Sequence, residues 1–157
     1  MRFRGREYTG AGVAVAVIDS GVSDDGSDVI NALTDGWDVM NGDSDATDDT
    51  HVDGTHVAGP IALSRDNGVG TAGLAHAASI MPIKVLVYNA ATDKLEGSAD
   101  LLVEAIDLAV SSGAHVINMS LGTYDSAYSA VLDEAVGAAH AAGLVLVAAA
   151  GNDRTFY

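Results

Sequence analysis

SADLLVEAIDLAVSSGAHVINMS, residues 98–120, is the stretch whose reading decides the fold. Leu101, Leu102, Ala105, Ile106 and Ala109 share one helical face, while Asp100, Glu104, Asp107 and Ser111 share the other. Gly113 is placed to stop that helix, and Ala114–Met119 follows as a strand. The same unit returns downstream, with a helix near Ser126–Ala142, Gly143 as the stop and a strand at Leu144–Ala149. Helix, glycine, buried strand, repeated, predicts a parallel sheet with right-handed crossovers.

Working outward, Val13–Ile18 reads as a strand buried on both faces, and Gly36–Met40 as a short strand before an acidic loop. Thr55–Leu63 reads as a helix despite Gly59-Pro60. Ser79–Val87 is an apolar run in which Pro82 calls for an edge or bulge position. No linker or low-complexity segment divides the chain, so residues 1–157 are expected to form one α/β domain with a mostly parallel sheet.

Composition narrows the classes of partner. The chain has 22 acidic and 7 basic residues, a net charge of −15, and Lys84 and Lys94 as its only lysines. Such a surface repels phosphates and anionic headgroups, which argues against nucleic acid and membrane partners. It suits solubility, or high salt, where self-repulsion is screened. Without cysteine there is no disulfide, zinc–thiolate site or thiol nucleophile. No apolar run reaches the ~18 residues of a membrane span. The basic start, Met1–Arg6, is not followed by a hydrophobic signal core, so no export signal is read.

In open parallel sheets, function gathers at the carboxyl ends of the strands. That rule selects Asp19, the segment Ser120-Leu121-Gly122, and Gly151-Asn152. Asp19 ends an apolar strand, where a carboxylate needs hydrogen bonds or a charged partner, or else caps the following turn. Four segments stand in order: Val17-Ile18-Asp19-Ser20-Gly21, Asp53-Gly54-Thr55-His56-Val57-Ala58-Gly59, Ile117-Asn118-Met119-Ser120-Leu121-Gly122 and Ala149-Ala150-Gly151-Asn152. Together they resemble the signatures of the subtilisin-like serine proteases, V-I-D-S/T-G, H-G-T-H-V-A-G, I-N-M-S-L-G and A-A-G-N. The glycine-rich Asn67–Ala75 is similar to the stretch after the family's histidine helix, and the resemblance runs from about Thr9 to Asn152.

The resemblance implies a three-layer α/β fold, truncated here on its C-terminal side, and peptide-bond hydrolysis by an Asp/His/Ser triad. By resemblance, Asp19 orients the histidine, and Asn152 donates to the oxyanion, a contact worth ~10²–10³ in rate. Ser120, Leu121 and Gly122 would pair with an extended polypeptide as an added strand, while Ala149 and Gly151 would line the pocket before the scissile bond. No cofactor is required for such chemistry. Calcium, a structural ion in many relatives, would fall near Asp28 and Asn67, where solvated acidic loops are the simpler reading. Secretion is expected from the family alone.

Two departures bear on activity. Asp53 occupies the family's histidine position, with the rest of that motif intact, and His56 matches the signature's second histidine, one helical turn on. His51 lies two residues upstream of Asp53, on a loop. A carboxylate, with a reference pKa of about 4 against ~6.5 for imidazole, is a weak proton acceptor, and beside Asp19 it favours a shared proton over serine activation. The chain also holds no G-T-S sequence, the family's nucleophile motif, which would lie well beyond Asn152. These residues alone are therefore expected to be catalytically silent, with an open strand edge that favours self-association. A pseudoprotease that binds extended peptides is the competing reading. A dinucleotide fold is disfavoured because Gly10-Ala11-Gly12 precedes its strand rather than following it.

Overall fold

In the computed structural model, residues 2–23, 30, 32–48, 52–122 and 130–152 are described. The strands are β1 (Arg2–Phe3), β2 (Arg6–Glu7), β3 (Ala14–Asp19), β4 (Trp37–Asp38), β5 (Ser79–Lys84), β6 (Val87–Asn89), β7 (Lys94–Glu96), β8 (Val116–Met119) and β9 (Val145–Ala148). The helices are α1 (Asp53–Ala62), α2 (Ala99–Ser111) and α3 (Ala130–Ala141).

Five strands form one sheet in the order β4-β5-β3-β8-β9, every pair parallel. The expected parallel sheet is thus present. Side chains alternate across it, as a two-residue period requires. On β3, Val15 and Val17 pack with Ala58 and Ala62 of α1. Ala16 and Ile18 face the opposite way, against Ala105, Ile106 and Ala109 of α2 and Ala135 and Ala139 of α3. One helix on one face and two on the other make the three layers. Small helical residues let the helices lie close to the strands, and Ile18, Ile83, Ile106 and Ile117 fill the interior.

α2 starts where Ser98 caps it, its Oγ accepting from Leu101 N at 3.3 Å. The amphipathic face read from the sequence is the buried one, with Leu101 and Leu102 half-buried beside Ala105, Ile106 and Ala109. The helix expected near Ser126 is described from Ala130. α1 begins at Asp53, two residues earlier than its pattern suggested.

Pro82 sits at neither an edge nor a bulge. It lies inside β5, opposite Val17 of β3. Ile80 turns its main chain toward residues 32–34, and Lys84 O accepts from Val39 N. By alternation, the nitrogen of Pro82 faces the same side, between the bridge at Leu33 and strand β4, where the neighbouring strand is interrupted. No ladder bond is lost there, so proline is tolerated.

Two short antiparallel hairpins, β1–β2 and β6–β7, lie outside the sheet and escaped the hydrophobic pattern. Among the described residues, no helix is long and apolar enough to cross a membrane.

Candidate active site

The candidate site begins at the junction of β3 and α1. Gly54 packs so tightly that a side-chain carbon there would run into the carbonyl oxygen of Gly21 and approach Cβ of Asp19. Gly21 itself has φ +108°, open to glycine and strained for other residues. This contact between glycines presses the start of α1 against the carboxyl end of β3, which brings Asp53 toward Asp19.

The first turn of α1 has unpaired N–H groups, and Val52, its N-cap, offers no side-chain acceptor. Partners come from elsewhere. Ser20 Oγ accepts from Gly54 N at 3.1 Å, and Asp48 Oδ2 accepts from Thr55 N at 3.3 Å and Thr55 Oγ1 at 3.0 Å. Ser23 N donates to Thr55 Oγ1 at 2.9 Å. Asp53 needs no such partner: an exposed carboxylate in the first turn is favoured by the helix dipole.

Asp19 is 2% exposed, and its Oδ1 accepts from Ser20 N at 2.8 Å. Burial pushes its pKa from 3.8 up to about 6, against the Ser20 N–H bond that lowers it, with Asp53 and Asp48 adding repulsion. Burial likewise raises the pKa of Asp48, opposed by its bonds from Thr55. Lys84 lies beside Asp19 in the β3–β5 register, but its Nζ donates to Thr47 O at 3.1 Å and stands 3.8 Å from Asp38 Oδ2. That buried pair anchors the acidic loop. Asp38 also accepts from Met40 N, Asn41 N and Asn41 Nδ2. Much of the loop's negative charge thus caps its own turns, as Asp43 and Asp45 do for Asp45 N and Thr47 N.

Across from Asp19 and Asp53 stand the ends of β8 and β9. Together they bound a cleft of about 360 Å³, lined also by Ser120, Leu121, Gly122, Ala149, Gly151 and Asn152. The positions singled out at three strand ends therefore converge on one cavity. Asn118 Nδ2 donates to Ser120 Oγ at 3.0 Å, which fixes the hydroxyl at the cleft wall. His56 also borders the cleft, one turn after Asp53 on the exposed side of α1, and no hydrogen bond joins it to Asp19.

Sequence reasoning missed Leu86, just before β6, and Leu95, on β7, which line the cleft. It missed Asp48 as the brace of α1 as well. The turn chemistry of Asn89–Asp93, where Asn89 Oδ1 accepts from Ala91 N, was the available signal for that hairpin.

Asp28 and His51 lie outside the described residues. Asn67 is exposed, and its Oδ1 accepts from Val69 N in a local turn. Among the described residues, no group of three or more His, Asp or Glu side chains is arranged to hold a metal ion.

Comparison with known proteins agrees with this geometry. The Subtilase family model matches residues 10–156. The chain is 39% identical to Subtilisin DY of Bacillus licheniformis over 145 residues, covering 92% of this chain and 49% of that protein. It is 40% identical over 149 residues to the minor extracellular protease Epr of Bacillus subtilis (strain 168), covering 92% of this chain and 21% of Epr. Among solved structures, fervidolysin from Fervidobacterium pennivorans, a keratinolytic enzyme related to subtilisin, superposes with a TM-score of 0.75 at 33% identity, over 92% of this chain and 22% of that one. A psychrophilic protease, S41, gives a TM-score of 0.77 at 36% identity, over 92% of this chain and 47% of that one. The chain spans about half or less of the length of these relatives. With the family model covering nearly all of it, the chain belongs to the subtilase family.

Proposed function

We propose that this chain supplies the orienting aspartate and the substrate cleft of a subtilisin-like serine endopeptidase domain, and that its 157 residues alone cut no peptide bond. In this reading Asp19 stands where the family's orienting carboxylate acts, and Asn152 where the oxyanion donor acts. The substrate is an extended polypeptide laid along Ser120–Gly122, with Ala149 and Gly151 beside the residue preceding the scissile bond. Site of action is extracellular, as the name of the protease Epr suggests for that relative.

One observation carries the inactive half of the proposal. The first residue of α1, facing the cleft with Asp19, is the carboxylate of Asp53 rather than an imidazole. In a subtilisin triad, removal of the histidine or serine costs roughly 10⁶-fold in turnover. A carboxylate beside a second, buried carboxylate holds a proton instead of withdrawing one from a hydroxyl.

The test pairs a fluorophosphonate probe with casein hydrolysis on mass-verified protein. No serine labelling and no hydrolysis are expected. Hydrolysis that survives removal of contaminants and disappears in Asp19→Asn would overturn the reading.

A second reading, a peptide-binding pseudoprotease, is favoured by the comfort of Asp53 at a helix start. The coding sequence downstream of Tyr157 separates the two: a G-T-S-x-A motif supports the enzyme, and its absence supports binding.

A further inference from the structure

Asp19 is a buried carboxylate whose Oδ1 accepts a hydrogen bond from Ser20 N. It borders the cleft, and no basic side chain of the described residues forms an ion pair with it. The neighbouring elements supply further negative charge: Asp53 from α1 and Asp48 from the acidic loop both act on it. Lys84, the nearby cation on β5, is turned toward Asp38 and Thr47 O. His56 borders the cleft without bonding to Asp19. Among the described residues, this buried anion, which faces a cavity with a second carboxylate at the mouth, has no positive partner of the kind its desolvation calls for.

We propose that the Asp19–Asp53 end of the cleft receives the cationic side chain, lysine or arginine, of a bound extended peptide. This rests on the peptide-binding role of the cleft and adds a preference within it. The peptide main chain lies along Ser120–Gly122, and one of its side chains reaches across to the two carboxylates. Its ammonium or guanidinium donates to Asp19 Oδ2 and to Asp53, which supplies the missing counter-charge. Apolar Leu86 and Leu95 border the same cleft and suit the methylene stem of such a side chain.

Fluorescence anisotropy on the intact chain tests this with dye-labelled, end-blocked tetrapeptides of alanine. Each position in turn carries lysine, acetyl-lysine or glutamate. At one position lysine is expected to bind roughly tenfold more tightly than acetyl-lysine, the scale of one charge-assisted hydrogen bond, with glutamate weakest. Asp53→Asn and, separately, Asp19→Asn should each bring the lysine to acetyl-lysine ratio toward one. Asp107→Asn makes the same charge change on the outer face of α2 and should leave that ratio standing. A ratio near one at every position of the unsubstituted chain overturns the inference, while the neutral peptides still report peptide binding. An equal fall in Asp107→Asn would overturn it too, by assigning the preference to the overall charge. If no peptide binds at all, the inference and the peptide-binding role fall together.

Discussion

β3 and β9 have nearly the same composition and opposite surroundings. Ala14–Asp19 has strands on both sides and helices on both faces, and residues 15 to 19 are all buried. Val145–Ala148 pairs with one strand only, at the end of the sheet, and Val145 and Val147 are 57% and 49% exposed. Alternating valine makes both of them strands, whereas burial depends on what lies alongside. We propose that stability is concentrated around β3 and self-association around β9, which among the described residues has one unpaired ladder edge and exposed valines.

Substitutions in the two strands should separate these roles. Ile18→Ala removes a fully buried side chain between α2 and the sheet, and we expect a loss of about 2–5 kcal/mol in urea unfolding. Val147→Lys on β9 should change that value by less than ~0.5 kcal/mol and shift the chain toward monomer in sedimentation. Equal destabilisation by the two changes would erase the distinction between centre and edge. Gly54→Ala probes the junction that β3 makes and β9 lacks. Its added carbon meets the Gly21 carbonyl, so a loss of about 1–3 kcal/mol is expected in the same measurement, with weaker peptide binding as α1 moves away.

A further effect concerns charge. Asp19 has its folded pKa raised from 3.8 to about 6, so its ionised form is disfavoured by folding. That penalty is full above about 6, declines as pH falls toward 3.8, and is absent below it. Asp19→Asn keeps the acceptor for Ser20 N and removes the charge. It should stabilise the chain by at most ~3 kcal/mol at pH 7.5, with the gain shrinking steadily toward pH 4. A pH-independent effect, or destabilisation at pH 7.5, would mean that Asp19 is paired in the native state.

The site was legible in the sequence where its residues end strands. Asp19, Ser120–Gly122 and Gly151-Asn152 stand out because polar groups and glycines terminate apolar runs, and parallel strands carry those ends to one edge of the sheet. Asp48 was not legible, because its partner Thr55 lies on another element and only the folded chain joins them. The β6–β7 hairpin was hidden for a related reason. Tyr88 Oη donates to Asp93 and Asn89 Nδ2 to Glu96, so polar side-chain bonds rather than an apolar period hold it together. Pro82 was misplaced because sequence alone does not show that the adjoining strand is broken opposite it.

Periodicity and glycine punctuation by themselves determined the parallel α/β architecture and the ends of its strands, since these depend on neighbours close along the chain. The tertiary structure alone decided that Asp19 is buried beside two other carboxylates, that Lys84 turns away to Asp38, and that one valine strand is core while another is edge. Burial and electrostatic pairing are properties of three-dimensional surroundings, set by contacts between segments far apart in sequence.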